Sequence, residues 1–156
     1  MEKIRRADKK DKKELLKIQK EAFPTLSHKH QEKYFDLKIK NNEIFIIEKE
    51  KKVAGYQAFG VHLLEPPFAK SIFLEGLAVK REFRGRGFAT LLINYMDKYC
   101  KNKRIPMIYL GTGDYKNNKS IKLYKRLGYK KLGSLKDINP ESEYTYGQIF
   151  YGKIIK

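Results

Sequence analysis

Apolar residues in this chain recur at two spacings, and the switches between them lay out its elements. Lys3–Ala7 predicts a short first strand. Asp8 then stands where a helix N-cap belongs, with Asp11 three residues on, a variant of the capping box. Leu15, Leu16, Ile18 and Ala22 make a helical stripe to about Phe23, and Pro24 ends it. A shorter helix is predicted over 31–40, with Tyr34, Phe35, Leu37 and Ile39 as its apolar positions. "NEIFIIEKEKKVAGYQAFGVHLL" predicts two strands joined by a charged turn, and "EPPF" breaks the pattern. "KSIFLEGLAVK" is apolar throughout apart from Glu75, the signature of a central strand. Phe88, Leu91, Leu92, Tyr95, Met96 and Tyr99 then share a helical face. Pro106 precedes a strand at "MIYLGT"; Asn117 or Asn118 can cap a helix carrying Ile121, Tyr124 and Leu127, which closes at Gly128. "YKKLGSL" and "YTYGQIFYGKII" supply two last strands. The order β-α-α-β-β-β-α-β-α-β-β predicts an α/β architecture, a mixed sheet with helices on both faces.

The bulk properties narrow the class. A chain of 156 residues, 41% of them hydrophobic, suits a single domain spanning 1–156. It has no apolar run long enough to span a bilayer, and its charged start lacks the apolar region of a signal peptide, so a cytoplasmic location is expected. Cys100 is the lone cysteine, in a helical pattern, and reads as a buried structural thiol. His28 and His30 flank Lys29, and no metal site is expected. A net charge of +17 favours anionic partners, but the lysines are spread along the whole chain, so local placement matters more than the total.

That placement is most telling in "REFRGRGFATLL", residues 81–92. Gly85 and Gly87 let the backbone bend tightly and admit a ligand close to it. The helix that follows opens with amide N–H groups lacking intrahelical partners, at the positive end of its dipole. This is a phosphate site in outline, and Arg84 and Arg86 add permanent charge. A Walker A loop is excluded because Phe88-Ala89 follows Gly87 where Lys-Ser/Thr is needed. A Rossmann fingerprint fits badly, because Thr90 stands at the third position and no acid occurs near 100–106.

Arg84-x-x-Gly87-x-Ala89 instead resembles the Arg/Gln-x-x-Gly-x-Gly/Ala signature of GCN5-related N-acetyltransferases, the GNAT family. A second block, "NNKSIKLYKRLGYKKLG", resembles the family's Asn-x-x-Ala-x-x-Leu-Tyr-x-x-Leu-Gly-Phe/Tyr pattern: Asn117, Leu123, Tyr124, Leu127, Gly128 and Tyr129 fall in phase, and Ser120 replaces the alanine. The two blocks occur in the family's order and spacing, and the resemblance covers nearly the whole chain.

The resemblance implies a splayed sheet and an acetyl-CoA-dependent transferase acting on a primary amine by direct attack on the thioester. It places the pyrophosphate on the turn of Arg84, Gly85, Arg86, Gly87, Phe88 and Ala89, and the pantetheine arm along Leu77, Ala78 and Val79. Gly76 would mark the splaying bulge, with the Leu77 N–H as oxyanion donor. Tyr124 is the family's usual acid for the departing thiolate; its bland alternative is a buried tyrosine anchoring a helix. Glu75 is the candidate base, acting through water; it could equally bind the substrate ammonium or pair with a lysine. Asn117 would contact the pantetheine arm unless it caps its helix, and Lys119 could reach a phosphate. The acceptor would be shaped by "FPTLSHKHQEKYFDL" and "DINPESEYTYGQ", where Asp137, Glu141 and Glu143 form the main acidic cluster and would attract a cationic amine. A homodimer is compatible with the family. The competing readings are a basic nucleic-acid-binding module, for which no RNA-binding signature is present, and a CoA-binding protein with little transferase activity.

Overall fold

Glu2–Arg6 forms β1, paired with β2 in spite of its charged residues, and leads into the predicted cap. Asp8 accepts the Lys10 amide, the Asp11 carboxylate takes the Asp8 amide, and a short 3-10 turn over Lys9–Asp11 runs on into helix α1, Lys12–Ala22. The computed structural model describes residues 1–24, 28–62, 70–136 and 147–156. The remaining elements are α2 (Gln31–Lys40), β2 (Ile44–Lys49), β3 (Lys52–His62), β4 (Ser71–Val79), α3 (Phe88–Asn102), β5 (Met107–Gly113), α4 (Lys119–Arg126), β6 (Lys130–Leu135) and β7 (Gln148–Ile154). Their order is the one the hydrophobic pattern predicts. The seven strands follow one another in the sheet as β1-β2-β3-β4-β5-β7-β6, and the β4–β5 pair is parallel, so the sheet is mixed.

The chain divides into two compact units, Met1–Gly60 with Glu75–Met96, and Val61–Leu74 with Asp97–Lys156; β3, β4 and α3 contribute residues to both. In the first unit β1, β2 and β3 pair antiparallel. Strand alternation sends Ile44, Ile46, Tyr56 and Ala58 to one face, where they pack with Leu15, Ile18 and Phe35 of α1 and α2. The other face carries Phe45, stacked on Phe59 and edge-on to Tyr95 of α3. Helices therefore cover both faces of β2, which explains its unbroken apolar run.

In the second unit the first four residues of β4 pair with Met107–Leu110 of β5, and β7 lies between β5 and β6 with antiparallel ladders on each side. Lys153 on β7 reaches both Asp97 and the Leu127 carbonyl, so its charge is matched at the end of α4. Cys100 is fully buried, and burial first, with Asp97 adding, pushes its thiol up to about 12, which makes it an inert packing group.

Two helical faces differ from expectation. On α3 the buried stripe is Phe88, Leu92, Ile93, Met96 and Cys100, while Leu91 is 42% and Tyr95 36% exposed. Three adjacent apolar residues, Leu91, Leu92 and Ile93, allow two stripes one position apart, and packing chose the later one. On α2 the expected apolar Leu37 is exposed, whereas Lys38 is buried. The acidic cluster Asp137, Glu141 and Glu143, and residues 25–27 of the first acceptor segment, lie outside the described residues.

Candidate active site

Of the candidate residues, Glu75 to Ala89 all belong to the first unit, and Asn117, Lys119 and Tyr124 to the second.

The stretch in the first unit begins where β4 loses its partner. The β4–β5 ladder ends at Leu74 opposite Leu110, although β4 continues to Val79. On its other edge β4 stays close to β3: the Lys80 amide donates to the Ala54 carbonyl at 2.8 Å, and a Cβ on Gly55 would lie 2.6 Å from the Ala78 carbonyl. Among the described residues, the Glu75–Val79 edge facing away from β3 therefore has no ladder partner. It offers about 13 Å of strand backbone at ~3.3 Å per residue.

This edge runs into the glycine turn. A 3-10 turn over Arg81–Phe83 sets Phe83 edge-on against Phe88, 5.7 Å between ring centroids, and both rings are buried. Phe88 thus anchors the start of α3 through its side chain and has only its backbone to offer a ligand. Gly85 and Gly87 have φ of +73° and +82°, and a Cβ at either would meet nothing within 4 Å. Their requirement for glycine is conformational, and the space beside them is open. The Leu91 amide closes the first helical turn on the Gly87 carbonyl at 3.0 Å, so the amides from Gly85 to Ala89 precede the intrahelical ladder. The arginine side chains are partly committed. Arg84 Nε donates to the Val79 carbonyl at 2.9 Å and its Nη2 lies 3.7 Å from Glu21, while the Arg86 guanidinium sits 5.9 Å from the Phe83 ring centroid. Glu21 also accepts the Arg81 amide, and Lys80 pairs with Glu14 at 2.6 Å. Lys17 first, then Lys80, hold the Glu14 carboxyl down at about 2. Two acids of α1 thus fasten the turn, a role that sequence spacing across some 60 residues did not signal.

Replacing Gly87 by Ala tests this turn. The added methyl meets open space, so the cost is the left-handed conformation alone, about 1–2 kcal/mol. Urea unfolding should show that loss, and calorimetry should show weaker CoA binding.

Glu75 stands at the start of the free edge in a polar network. Its Oε1 accepts from Lys38 Nζ at 2.6 Å and its Oε2 from the Tyr34 hydroxyl at 2.8 Å. Lys38 Nζ also donates to Glu43 at 2.9 Å and to the Phe59 carbonyl at 2.9 Å. Burial first, then the Glu75 carboxylate, push the Tyr34 hydroxyl well above its ordinary value, so it is a donor. Of the three arrangements open to Glu75 from sequence, pairing with a lysine is present. Tyr34 and Lys38 lie one helical turn apart on α2, and that i,i+4 spacing, with Lys38 three residues after Phe35, was the available signal.

In the second unit Asn118, not Asn117, caps α4. Its Oδ1 accepts from the Ser120 amide at 3.0 Å, and its Nδ2 donates to Thr112 Oγ1 at 3.0 Å and the Gly113 carbonyl at 2.7 Å. Asn117 is exposed with φ of +67°, which leaves its side chain unburdened by capping. Lys119 is exposed on the first turn of α4. Tyr124 is buried against the rings of Tyr129 and Tyr151, at 5.8 and 6.5 Å. Burial pushes its hydroxyl up to about 12, so it carries its proton at neutral pH. Among the described residues no group of His, Cys, Asp and Glu could hold a metal ion, and no helix is long and apolar enough to cross a membrane.

The parts fit acetyl-CoA: an open backbone edge for an extended arm leads to an open, glycine-bent helix N-terminus for phosphates. Comparison with known proteins gives the fold and the family. An N-acetyltransferase from Staphylococcus aureus Mu50 is 26% identical, over 100% of this chain and 99% of that one, with a TM-score of 0.82. Arabidopsis thaliana NAA60, solved with a bisubstrate analogue, superimposes with a TM-score of 0.85 at 18% identity, covering 100% and 99% of the two chains. The ribosomal-protein-S18-alanine N-acetyltransferase of Escherichia coli does so with 0.81 at 16% identity, covering 100% and 95%. A search of curated proteins finds no match. The profile of the acetyltransferase (GNAT) family matches residues 12–129, and with its two sequence blocks and mixed sheet the chain belongs to that family, as a GNAT-type N-acetyltransferase.

Proposed function

We propose that this enzyme transfers the acetyl group of acetyl-CoA to a primary amine that is cationic in solution, by direct attack of the amine on the thioester. The observation that carries the reading is the continuity of the free β4 edge with the glycine turn. The Leu77, Ala78 and Val79 stretch of β4 presents its free edge to the pantetheine arm, and the amides from Gly85 to Ala89 receive the pyrophosphate, the Arg84 amide being taken by the Arg81 carbonyl. The Arg84 side chain braces the turn through Val79, so its backbone matters more than its charge. Asn117 is available to the arm, and Lys119 to a phosphate.

Acetyl-CoA supplies an activated acyl group when bound. The protein's task is to hold a proton where the sulfur departs and an amine where the carbonyl arrives. Tyr124 suits the first: a hydroxyl kept protonated by burial donates without being lost to solvent at neutral pH. The Leu77 N–H, three residues beyond the end of the β4–β5 ladder, suits the developing oxyanion. Glu75 faces the amine.

Acetyl-CoA should raise the melting temperature saturably. At a hundred times Kd the gain is about 2.7 kcal/mol, or roughly 5–10 °C for a chain of this size. No shift at millimolar CoA or acetyl-CoA sinks the reading. A thiol-release screen against polyamines, aminoglycosides, amino acids and peptides with free amino termini then identifies the acceptor class.

A further inference from the structure

We infer that Glu75 is an anchor for the acceptor's ammonium group, not the base that deprotonates it, and that Lys38 and Tyr34 are the positioning residues that hold it for that task. The inference rests on the transferase reading and deepens it at the acceptor side.

Charge count is the first argument. One ammonium, Lys38, stands between two carboxylates, Glu43 and Glu75, so the trio has one negative charge in excess. The three side chains are 9%, 17% and 22% exposed in that order, so the excess is displayed at Glu75. In a protein of net charge +17, a fixed negative site at the free end of β4 is a local reversal of sign. It attracts cations against the protein's overall positive charge.

Geometry is the second. Lys38 has three N–H donors and all three are used, on Glu43, Glu75 and the Phe59 carbonyl. It cannot turn from one partner without stranding another. With Tyr34 on the second oxygen, the Glu75 carboxylate is fixed at both ends, yet each oxygen keeps lone-pair capacity for a further donor. A proton taken up at Glu75 would remove one of the two countercharges of a buried lysine. An ammonium bound there leaves that ion pair whole.

Position is the third. Glu75, then Leu77–Val79, then the glycine turn follow along one strand in the order thioester, arm, pyrophosphate. The anchored ammonium gives one proton to solvent water, its nitrogen forms the C–N bond as the C–S bond breaks, and the second proton of that nitrogen then leaves to solvent. The thiolate takes a proton from Tyr124, which solvent restores. One ammonium and one thioester yield one amide, one thiol and one proton.

Steady-state kinetics on Glu75→Gln and Tyr34→Phe test this, using the fastest of spermidine, kanamycin and a short peptide with a free amino terminus. Glu75→Gln should raise the acceptor KM about tenfold or more while kcat stays within about threefold and the acetyl-CoA KM is unchanged. Tyr34→Phe keeps the ring and loses one donor, and should raise the acceptor KM by roughly threefold to tenfold with kcat again retained. A fall of about a hundredfold in kcat at unchanged acceptor KM makes Glu75 the base and overturns the inference, as do unaltered parameters. If the parent protein releases no thiol with any of the three and its melting temperature does not respond to acetyl-CoA, the transferase reading falls separately. Calorimetry of spermidine binding then decides the anchor alone: weaker binding by Glu75→Gln upholds it, and equal binding overturns it.

Discussion

Tyr124→Phe should lower kcat by about a hundredfold to ten-thousandfold, the usual range for removing a general acid, while leaving acetyl-CoA affinity near the parent value. The ring of Tyr124 packs between Tyr129 and Tyr151, and phenylalanine keeps that packing, so folding is preserved. Among the described residues its hydroxyl has no hydrogen-bond partner whose loss would confuse the result. The pH profile adds an independent readout. Because burial raises the Tyr124 hydroxyl to about 12, its deprotonation removes the acid only as pH approaches that value, and kcat should show no alkaline fall from this group between pH 7 and 10. A variant with unchanged turnover would reduce Tyr124 to a helix anchor.

Lys38→Met should destabilise the fold by about 3–5 kcal/mol, the range for breaking a buried ion pair by removing one partner. Methionine fills the space of the lysine stem but leaves Glu43, Glu75 and the Phe59 carbonyl without their shared donor. Two carboxylates would then face each other with no cation between them. Chemical denaturation measures the loss. Adding Glu43→Gln to Lys38→Met removes one of the stranded charges and should recover part of the stability, so the effects of the two substitutions are not additive. A loss below about 1 kcal/mol in Lys38→Met would mean the trio is solvated like a surface pair.

These two residues mark opposite ends of what could be read in advance. Tyr124 was legible because its block is local: a cap, a helix one turn and a half long before it, and a glycine stop after it, all within thirteen positions. The glycine turn was legible for the same reason, and the structure sharpened it by showing that Gly85 and Gly87 are held at positive φ in open space. Lys38 was not legible. A lysine in an amphipathic helix is ordinarily solvated, and its i,i+4 spacing to Tyr34 does not say that its Nζ will meet a carboxylate 37 positions on. The choice between Asn117 and Asn118 as cap was equally undecided until Thr112 and Gly113 of β5 took up the Asn118 amide.

The amino-acid sequence by itself determined the element order, the mixed α/β class, the glycine turn before α3 and the family. Those rest on periodicity, capping and short motifs, which act between neighbours in the chain. Only the tertiary structure decided which stripe of α3 is buried, that two acids of α1 brace the phosphate turn, and that Glu75 is locked by Lys38 and Tyr34. Each depends on the register at which one element packs on another. Register is set by close packing of whole faces, to which no single segment holds the key.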